Sequence, residues 1–94
     1  MSLEEFFGNS VLVKVVDFFL ENRFWDYSKT DIAKNIGKSR QSIHNVWPTL
    51  EKYEIIKPSR KIGGTTLYKG NLDSPVFKNF SKVSLSIASL DIDK

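Results

Sequence analysis

Apolar residues recur at intervals of three and four positions in three stretches of the chain and follow an extended pattern in a fourth. In the first stretch, residues 11–20, the apolar positions that share one helical face are Leu12, Val15, Val16, Phe19 and Leu20. This spacing predicts an amphipathic helix that begins after the break at residues 8–10. Val11 and Phe18 lie beside this stripe. The extra apolar surface therefore indicates either a wide buried face or a contact with another subunit.

Residues 28–53 predict two helices joined by a tight turn. Ser28 and Asp31 have the spacing of a capping box, in which each side chain accepts a hydrogen bond from the other residue's amide. Gly37 ends the first helix, because glycine adopts a positive φ without steric cost. Ser39 is the cap of the second helix. Its apolar positions are Ile43, Val46, Trp47, Leu50 and Tyr53. So short a connection predicts a steep crossing, as in a helix-turn-helix.

The pattern then changes from helical to extended. Residues 55–62 and 65–69 flank Gly63 and Gly64, which predicts a β-hairpin with a two-residue turn. Pro58 must then occupy an edge or a position outside the hydrogen-bonded ladder. A hairpin directly after the second helix of a helix-turn-helix, with Arg60 and Lys61 near its tip, is the wing of a winged helix.

A last helix is predicted after residue 73, with Ser74 as its cap and Pro75 at the first helical position. Its apolar positions alternate at four and three residues and are Val76, Phe80, Val83, Ile87 and Leu90. An isolated helix of this length is marginal in water, so this seam needs a partner. The partner is either the chain's own core or a second copy, and we favour the second copy. The prediction is one domain of residues 1–72, containing the helix-turn-helix of residues 28–53 and the wing of residues 55–69, and a dimerisation helix of residues 73–94.

The short aromatic run at residues 24–27 fits the small strand that precedes a helix-turn-helix in winged folds. We expect these aromatic residues to lie in the core, because they directly precede a capped helix. The expected fold class is mainly α with a small β-hairpin (α+β).

Charge is unevenly distributed over the 94 residues. Residues 28–69 hold nine Lys and Arg against three Asp and Glu, a net of +6, whereas the rest holds five against eight, a net of −3, which together give +3. The predicted helix-turn-helix and wing therefore carry the positive charge that nucleic-acid binding requires. The chain has no cysteine and one histidine. This composition excludes disulfide scaffolds, zinc fingers and Cys/His metal sites.

The candidate recognition helix covers residues 39–53. Its polar candidates for base contact are Ser39, Arg40, Gln41, Ser42, His44 and Asn45. Arg suits bidentate contact with guanine, and Gln or Asn suits contact with adenine. His44 lacks the second ligand or base partner that a metal or catalytic site needs. Pro48 predicts either a kink in this helix or its early end.

Two further groups are candidates for contacts with the DNA backbone. The start of the first helix and the turn contribute Ser28, Lys29, Thr30 and Lys38, and the wing contributes Arg60, Lys61, Thr65 and Thr66. Free amides and hydroxyls at a helix start can hold a phosphate. The same hydroxyl of Ser28 also serves as the cap.

The spacing of Ala33, Gly37 and Ile43 resembles that of helix-turn-helix DNA-binding units. The chain departs from them at Lys38, where many members carry an apolar residue, and at Pro48. The order of predicted elements resembles small dimeric winged-helix transcription regulators of ArsR/MarR-like type, as found in archaea. The resemblance implies a homodimer that binds double-stranded DNA in the cytoplasm, at the nucleoid, with residues 39–53 in the major groove and residues 57–69 on the backbone or minor groove.

The alternative function is a winged helix that binds protein partners or serves as an architectural or segregation adaptor on DNA. We expect no enzyme activity, because the sequence has no nucleophile–base pair, paired carboxylates or phosphate loop. We also expect no cofactor, metal or membrane partner, since the apolar stretch at residues 11–20 is short and contains Lys14 and Asp17.

Overall fold

The computed structural model describes residues 3–92. Five helices and one hairpin follow each other in the order α1 (Leu3–Phe7), α2 (Val11–Glu21), α3 (Lys29–Ile36), α4 (Arg40–Lys52), β1 (Ile56–Ile62), β2 (Thr65–Gly70) and α5 (Pro75–Ile92). The expected class, helices with a small antiparallel hairpin, is confirmed. Within residues 3–92, none of the helices has the length and apolar content that crossing a lipid bilayer demands.

The centre of the core is α2, which packs against α1, α3 and α4. Ser10 caps it by accepting a hydrogen bond from the Val13 amide over 3.2 Å. Phe18 and Phe19 are both buried, and the Phe18 ring meets Tyr27 edge-on with 4.7 Å between ring centroids. The side of α2 that carries Phe18 is therefore covered by its own chain, as the wide buried face requires.

Between α3 and α4 lies the tight turn that the sequence predicts. The Asp31 amide donates to Ser28 Oγ over 3.1 Å and the Ser28 amide donates to Asp31 Oδ2 over 3.2 Å, so the capping box is complete. Gly37 has a φ of 71° and ends α3. Ser39 caps α4, which continues through Pro48 to Lys52. The helix therefore does not end early at the proline.

The wing is a two-stranded antiparallel sheet with Gly63 and Gly64 as its turn. A single bridge extends it, because the amide and carbonyl of Tyr68 in β2 both bond to Tyr27, over 2.8 and 2.7 Å. The N–H and C=O of a strand residue point to the same side. Tyr68 therefore has no backbone bond left for Pro58, its partner in β1. Pro58 lies outside the ladder bonds, as predicted.

One expectation about the loop before α3 is wrong. Only Tyr27 of the run at residues 24–27 joins the sheet, whereas Phe24 is 74% exposed and Trp25 is 68% exposed. The bridge at Tyr27 pairs only that residue with β2, so Phe24 and Trp25 are not part of a strand. Their rings face solvent instead of the core.

Helix α5 begins as predicted. Buried Ser74 accepts from the Phe77 amide over 3.2 Å and donates to the Tyr53 carbonyl over 3.0 Å, which ties the start of α5 to the end of α4. Phe77 is the residue of α5 that enters the core, at 1% exposure. Its ring packs on Gly70, where a side chain would not fit.

Helix α1 is held by the buried carboxylate of Asp17 in α2. This group accepts from the amides of Leu3 and Glu4 over 3.2 and 2.9 Å, and so caps the short helix from outside. Helices α1, α2, α5 and the end of α4 surround an apolar cavity of about 540 Å³.

Candidate nucleic-acid interface

Helix α4 separates its apolar and polar residues onto opposite sides. Ile43, Trp47 and Leu50 are buried against the core, whereas the polar residues Arg40, Gln41, His44 and Asn45 are all exposed. The first two turns of α4 therefore present amide, imidazole and guanidinium groups to solvent. Residues 40–50 of α4 contain no acidic side chain that would repel a phosphate.

The two serines among the candidate base-reading residues engage each other at the start of α4. Ser39 Oγ accepts from the Ser42 amide over 3.1 Å, and the two hydroxyl oxygens lie 3.0 Å apart. Ser42 is half-buried. These hydroxyls stabilise the helix start, which leaves the four exposed residues as the main candidates for base contact.

Lys29, at the start of α3, is fixed over the core of the helix-turn-helix. Its ammonium lies 4.7 Å from the ring centroid of Trp47, a cation–π contact. Trp47 in turn meets the Tyr68 ring of the wing with 4.8 Å between centroids. The contacts of Trp47 with Lys29 and with the edge-on ring of Tyr68 join α3, α4 and β2. The charge of Lys29 therefore has a defined position relative to the wing.

A polar depression of about 260 Å³ brings together candidates that the sequence places in three separate segments. Its lining is Ser28, Lys29, Thr30, Arg40, Gly64, Thr65, Thr66 and Tyr68. The start of α3 supplies amides and hydroxyls, α4 supplies a guanidinium, and the start of β2 supplies two threonines. Amides at a helix start together with two cations form a surface suited to a phosphate group.

Lys38 lies apart from this depression. Its amide donates to the Ala33 carbonyl over 3.0 Å in the turn after Gly37, and its side chain is exposed. Lys38 is not among the residues that line the depression, so it stays a separate candidate for a contact with the DNA backbone.

The two cations that the sequence places near the tip of the wing differ in their surroundings. Lys61 is exposed. Arg60 is ion-paired with Asp26: Nε lies 2.8 Å from Oδ2 and Nη2 lies 3.3 Å from Oδ1. The Arg60 guanidinium, followed by the Ser59 hydroxyl, holds the pKa of the Asp26 carboxyl below its usual range.

Sequence reasoning missed Asp26. The sequence carries no local signal for this contact, because 34 residues separate Asp26 from Arg60.

The predicted seam of α5 divides into two parts. Val76, Phe80 and Ile87 are half-buried against the chain's own core, and Phe80 meets Phe7 of α1 edge-on at 6.4 Å. Val83 and Leu90 remain 37% and 65% exposed. The chain itself thus covers part of the surface that the sequence assigns to a second copy. Phe77, one position beside the seam, is the deeper anchor.

Three solved structures share this arrangement of helices and wing. MepR, a transcription regulator of the Staphylococcus aureus multidrug efflux pump MepA, matches with a TM-score of 0.67 and 12% identity, over 96% of this chain and 67% of MepR. AntR, an antimony-specific transcriptional repressor, matches with a TM-score of 0.62 and 16% identity, over 86% of this chain and 68% of AntR. A cysteine-to-serine mutant of Lactococcus lactis ZitR, solved in complex with DNA, matches with a TM-score of 0.54 and 18% identity, over 81% of this chain and 56% of ZitR.

The chain has the winged helix-turn-helix fold. The resemblance that the spacing of Ala33, Gly37 and Ile43 suggests is confirmed at the level of the fold, and the similar structures are transcription regulators. At 12–18% identity the likeness concerns the fold alone. The chain spans between 56% and 68% of the length of these proteins. No protein-family model matches the sequence, and neither does any curated protein.

Proposed function

We propose that this chain is a sequence-specific regulator that binds double-stranded DNA as a homodimer in the cytoplasm. Residues 39–53 enter the major groove, and residues 57–69 of the wing lie on the backbone or in the minor groove. The wing and the helix-turn-helix belong to the DNA-binding unit of residues 1–72, and α5, within the segment of residues 73–94, is the dimerisation helix.

The observation that carries this proposal is the polar depression next to the exposed face of α4. One phosphate seated there would contact Lys29, Arg40 and the wing turn together, because all of them line the same depression. Such a contact would fix the register of the duplex, while Gln41 and Asn45 stand further along the same helix. ZitR, which shares the fold, was solved in complex with DNA.

Homodimerisation has independent support in the exposed part of the α5 seam. Val83 and Leu90 lie at the seam spacing and face solvent in the single chain. A second copy would cover these side chains and place two α4 helices on one duplex, as two-fold symmetric binding requires.

A selection from randomised duplexes tests the function directly. Wild-type protein is expected to enrich a sequence with two related half-sites. Arg40→Ala should then weaken binding to it, whereas Lys78→Ala removes the same charge from an exposed position on α5, away from the seam, and should leave binding nearly unchanged. Equal effects of the two changes, or no enrichment by the wild type, would overturn the proposal. They would also favour the alternative function, a protein-binding winged helix, with exposed Phe24 and Trp25 as its contact surface.

A further inference from the structure

The Asp26–Arg60 pair joins two segments that flank β2 on opposite sides. Asp26 precedes Tyr27, which bridges to Tyr68 on one side of β2, and Arg60 belongs to β1 on the other side. The guanidinium therefore reaches across β2 to the carboxylate. The pair is a side-chain link between the loop before α3 and the wing.

A β-bulge makes this reach possible. Pro58 pairs with Tyr68 and Arg60 pairs with the adjacent Leu67, so Ser59 is an extra residue in β1. Neighbouring residues of a regular strand point to opposite faces, but a bulge redirects one of them. Ser59 and Arg60 consequently both interact with Asp26. A regular strand would bring only one of the two side chains to this carboxylate.

The ion pair occupies only one edge of the guanidinium. Asp26 accepts from Nε and Nη2, which leaves the Nη1 donors and the second Nη2 hydrogen for another acceptor. The Asp26 side chain is 13% exposed, whereas that of Arg60 is 62% exposed. The carboxylate is therefore more buried than the guanidinium, and the unused edge of Arg60 is accessible to solvent. Arg60 can bind an external anion without releasing Asp26.

We propose that Asp26 is a positioning residue that holds Arg60 in place to contact a phosphate of the bound duplex. This inference rests on the proposed function, since it assigns the partner of Arg60 to the DNA backbone. A long flexible side chain loses conformational freedom when it binds, and a guanidinium that is already fixed loses less. Asp26 also neutralises part of the charge of Arg60, which acts against binding. If the ordering of the guanidinium dominates, Asp26 increases the contribution of Arg60 to binding. If the neutralisation of charge dominates, Asp26 decreases that contribution.

A double-mutant cycle in duplex affinity at fixed salt measures this coupling. Arg60→Ala is expected to weaken binding about tenfold in the wild type, the scale of one charge-assisted hydrogen bond. In the Asp26→Asn background the same change should weaken binding less than about threefold, because the unfixed guanidinium contributes less. Equal losses in the two backgrounds, or a larger loss in the Asp26→Asn background, would overturn the proposal; the larger loss would show that Asp26 masks Arg60.

Two further variants separate positioning from charge and from folding. Arg60→Lys keeps the charge and leaves Asp26 in place but cannot form the bidentate pair, so it should bind more weakly than the wild type while keeping the salt dependence of a phosphate contact. Asp73→Asn is the matched control, because it removes one exposed carboxylate whose partner Lys57 is 3.9 Å away. It should leave the effect of Arg60→Ala unchanged. Arg60→Lys with wild-type affinity would overturn the positioning role. A wild type that does not bind duplex DNA would refute the proposed function as well.

Discussion

Gln41 donates a hydrogen bond from its side-chain amide to the side-chain oxygen of Asn45, one turn further along α4, over 3.0 Å. Both residues are exposed on the face opposite the core. Each side chain holds the other in the absence of DNA, so the amides that we expect to read bases are ordered as a pair. They should therefore act as a unit instead of as independent contacts.

Gln41→Ala and Asn45→Ala should each reduce discrimination at one base pair by about 1–3 kcal/mol and leave thermal stability nearly unchanged. Because the residues contact each other, the double variant should lose less than the sum of the single losses. Specificity profiles over a randomised duplex library would measure both effects. In a symmetric dimer the affected pair should appear once in each half-site, with half-site centres about 10 base pairs apart or a multiple of this. Unchanged profiles from folded variants would remove α4 from the groove.

Lys61→Ala should weaken binding to all duplex sequences, because a lysine on the wing would contact phosphates and not bases. The slope of log affinity against log salt should fall by about one unit. Lys78→Ala on α5 removes the same charge from an exposed position away from the seam and should leave the slope unchanged. A loss confined to one base position would instead show that the wing reads bases.

The exposed part of the α5 seam should mediate dimerisation. Wild-type protein is expected to sediment as a dimer at micromolar concentration, and the double change Val83→Asp and Leu90→Asp should give folded monomers with weaker operator binding. Both side chains are exposed in the single chain, so the charges should not disturb its core. Leu85→Asp, on a different face of the same helix, is the control and should remain dimeric. A monomeric wild type would contradict the prediction.

Gly70→Ala should destabilise the chain, because the new Cβ would lie 2.8 Å from Cζ of the buried Phe77 ring. The expected cost is about 1–3 kcal/mol in the free energy of unfolding, typical of overpacking. Gly64→Ala is the control, since no atom outside its chain neighbours lies within 4 Å of the place that its new methyl group would occupy. Urea denaturation should show a shift for Gly70→Ala that Phe77→Leu partly relieves. Equal stability of the two alanine variants would contradict the packing argument.

The Asp26–Arg60 pair should make a small, pH-dependent contribution to stability. The pKa of Asp26 in the folded chain lies below the ordinary value of 3.8, so the carboxylate stabilises the folded chain above that value. The contribution is lost as the pH falls through the lowered pKa. The melting temperature of the wild type should therefore exceed that of Asp26→Asn at neutral pH, and the difference should disappear in strong acid. A difference that persists in acid would assign the stabilisation to something other than the charge.

The features that the sequence predicts well depend on residues close together along the chain. The capping box joins Ser28 and Asp31, the end of α3 depends on Gly37, and the hairpin depends on two adjacent glycines. Each signal lies within a few residues of the structure it determines, so tertiary packing has little opportunity to override it.

The features that the sequence does not predict depend on distant segments. Phe77, which lies beside the predicted seam, enters the core because Gly70, on another element, leaves room for its ring. Arg60 contacts Asp26 only because of the bulge at Ser59, and no local sequence pattern predicts this bulge. The polar depression likewise exists only once the hairpin folds beside α3. The sequence identifies most of the residues that line it as separate candidates, but it does not predict that they lie next to one another.

The positions of Trp25 and Trp47 allow tryptophan fluorescence to report separately on two parts of the chain. Trp47 is 4% exposed and packs between Lys29 and Tyr68, whereas Trp25 is 68% exposed beside Asp26. An indole in water emits at longer wavelength than a buried one, and iodide quenches only the accessible ring. Emission that resists iodide therefore reports on the junction of α3, α4 and the wing. The quenchable fraction reports on the loop that carries Asp26, so duplex binding can be followed at both places without a label.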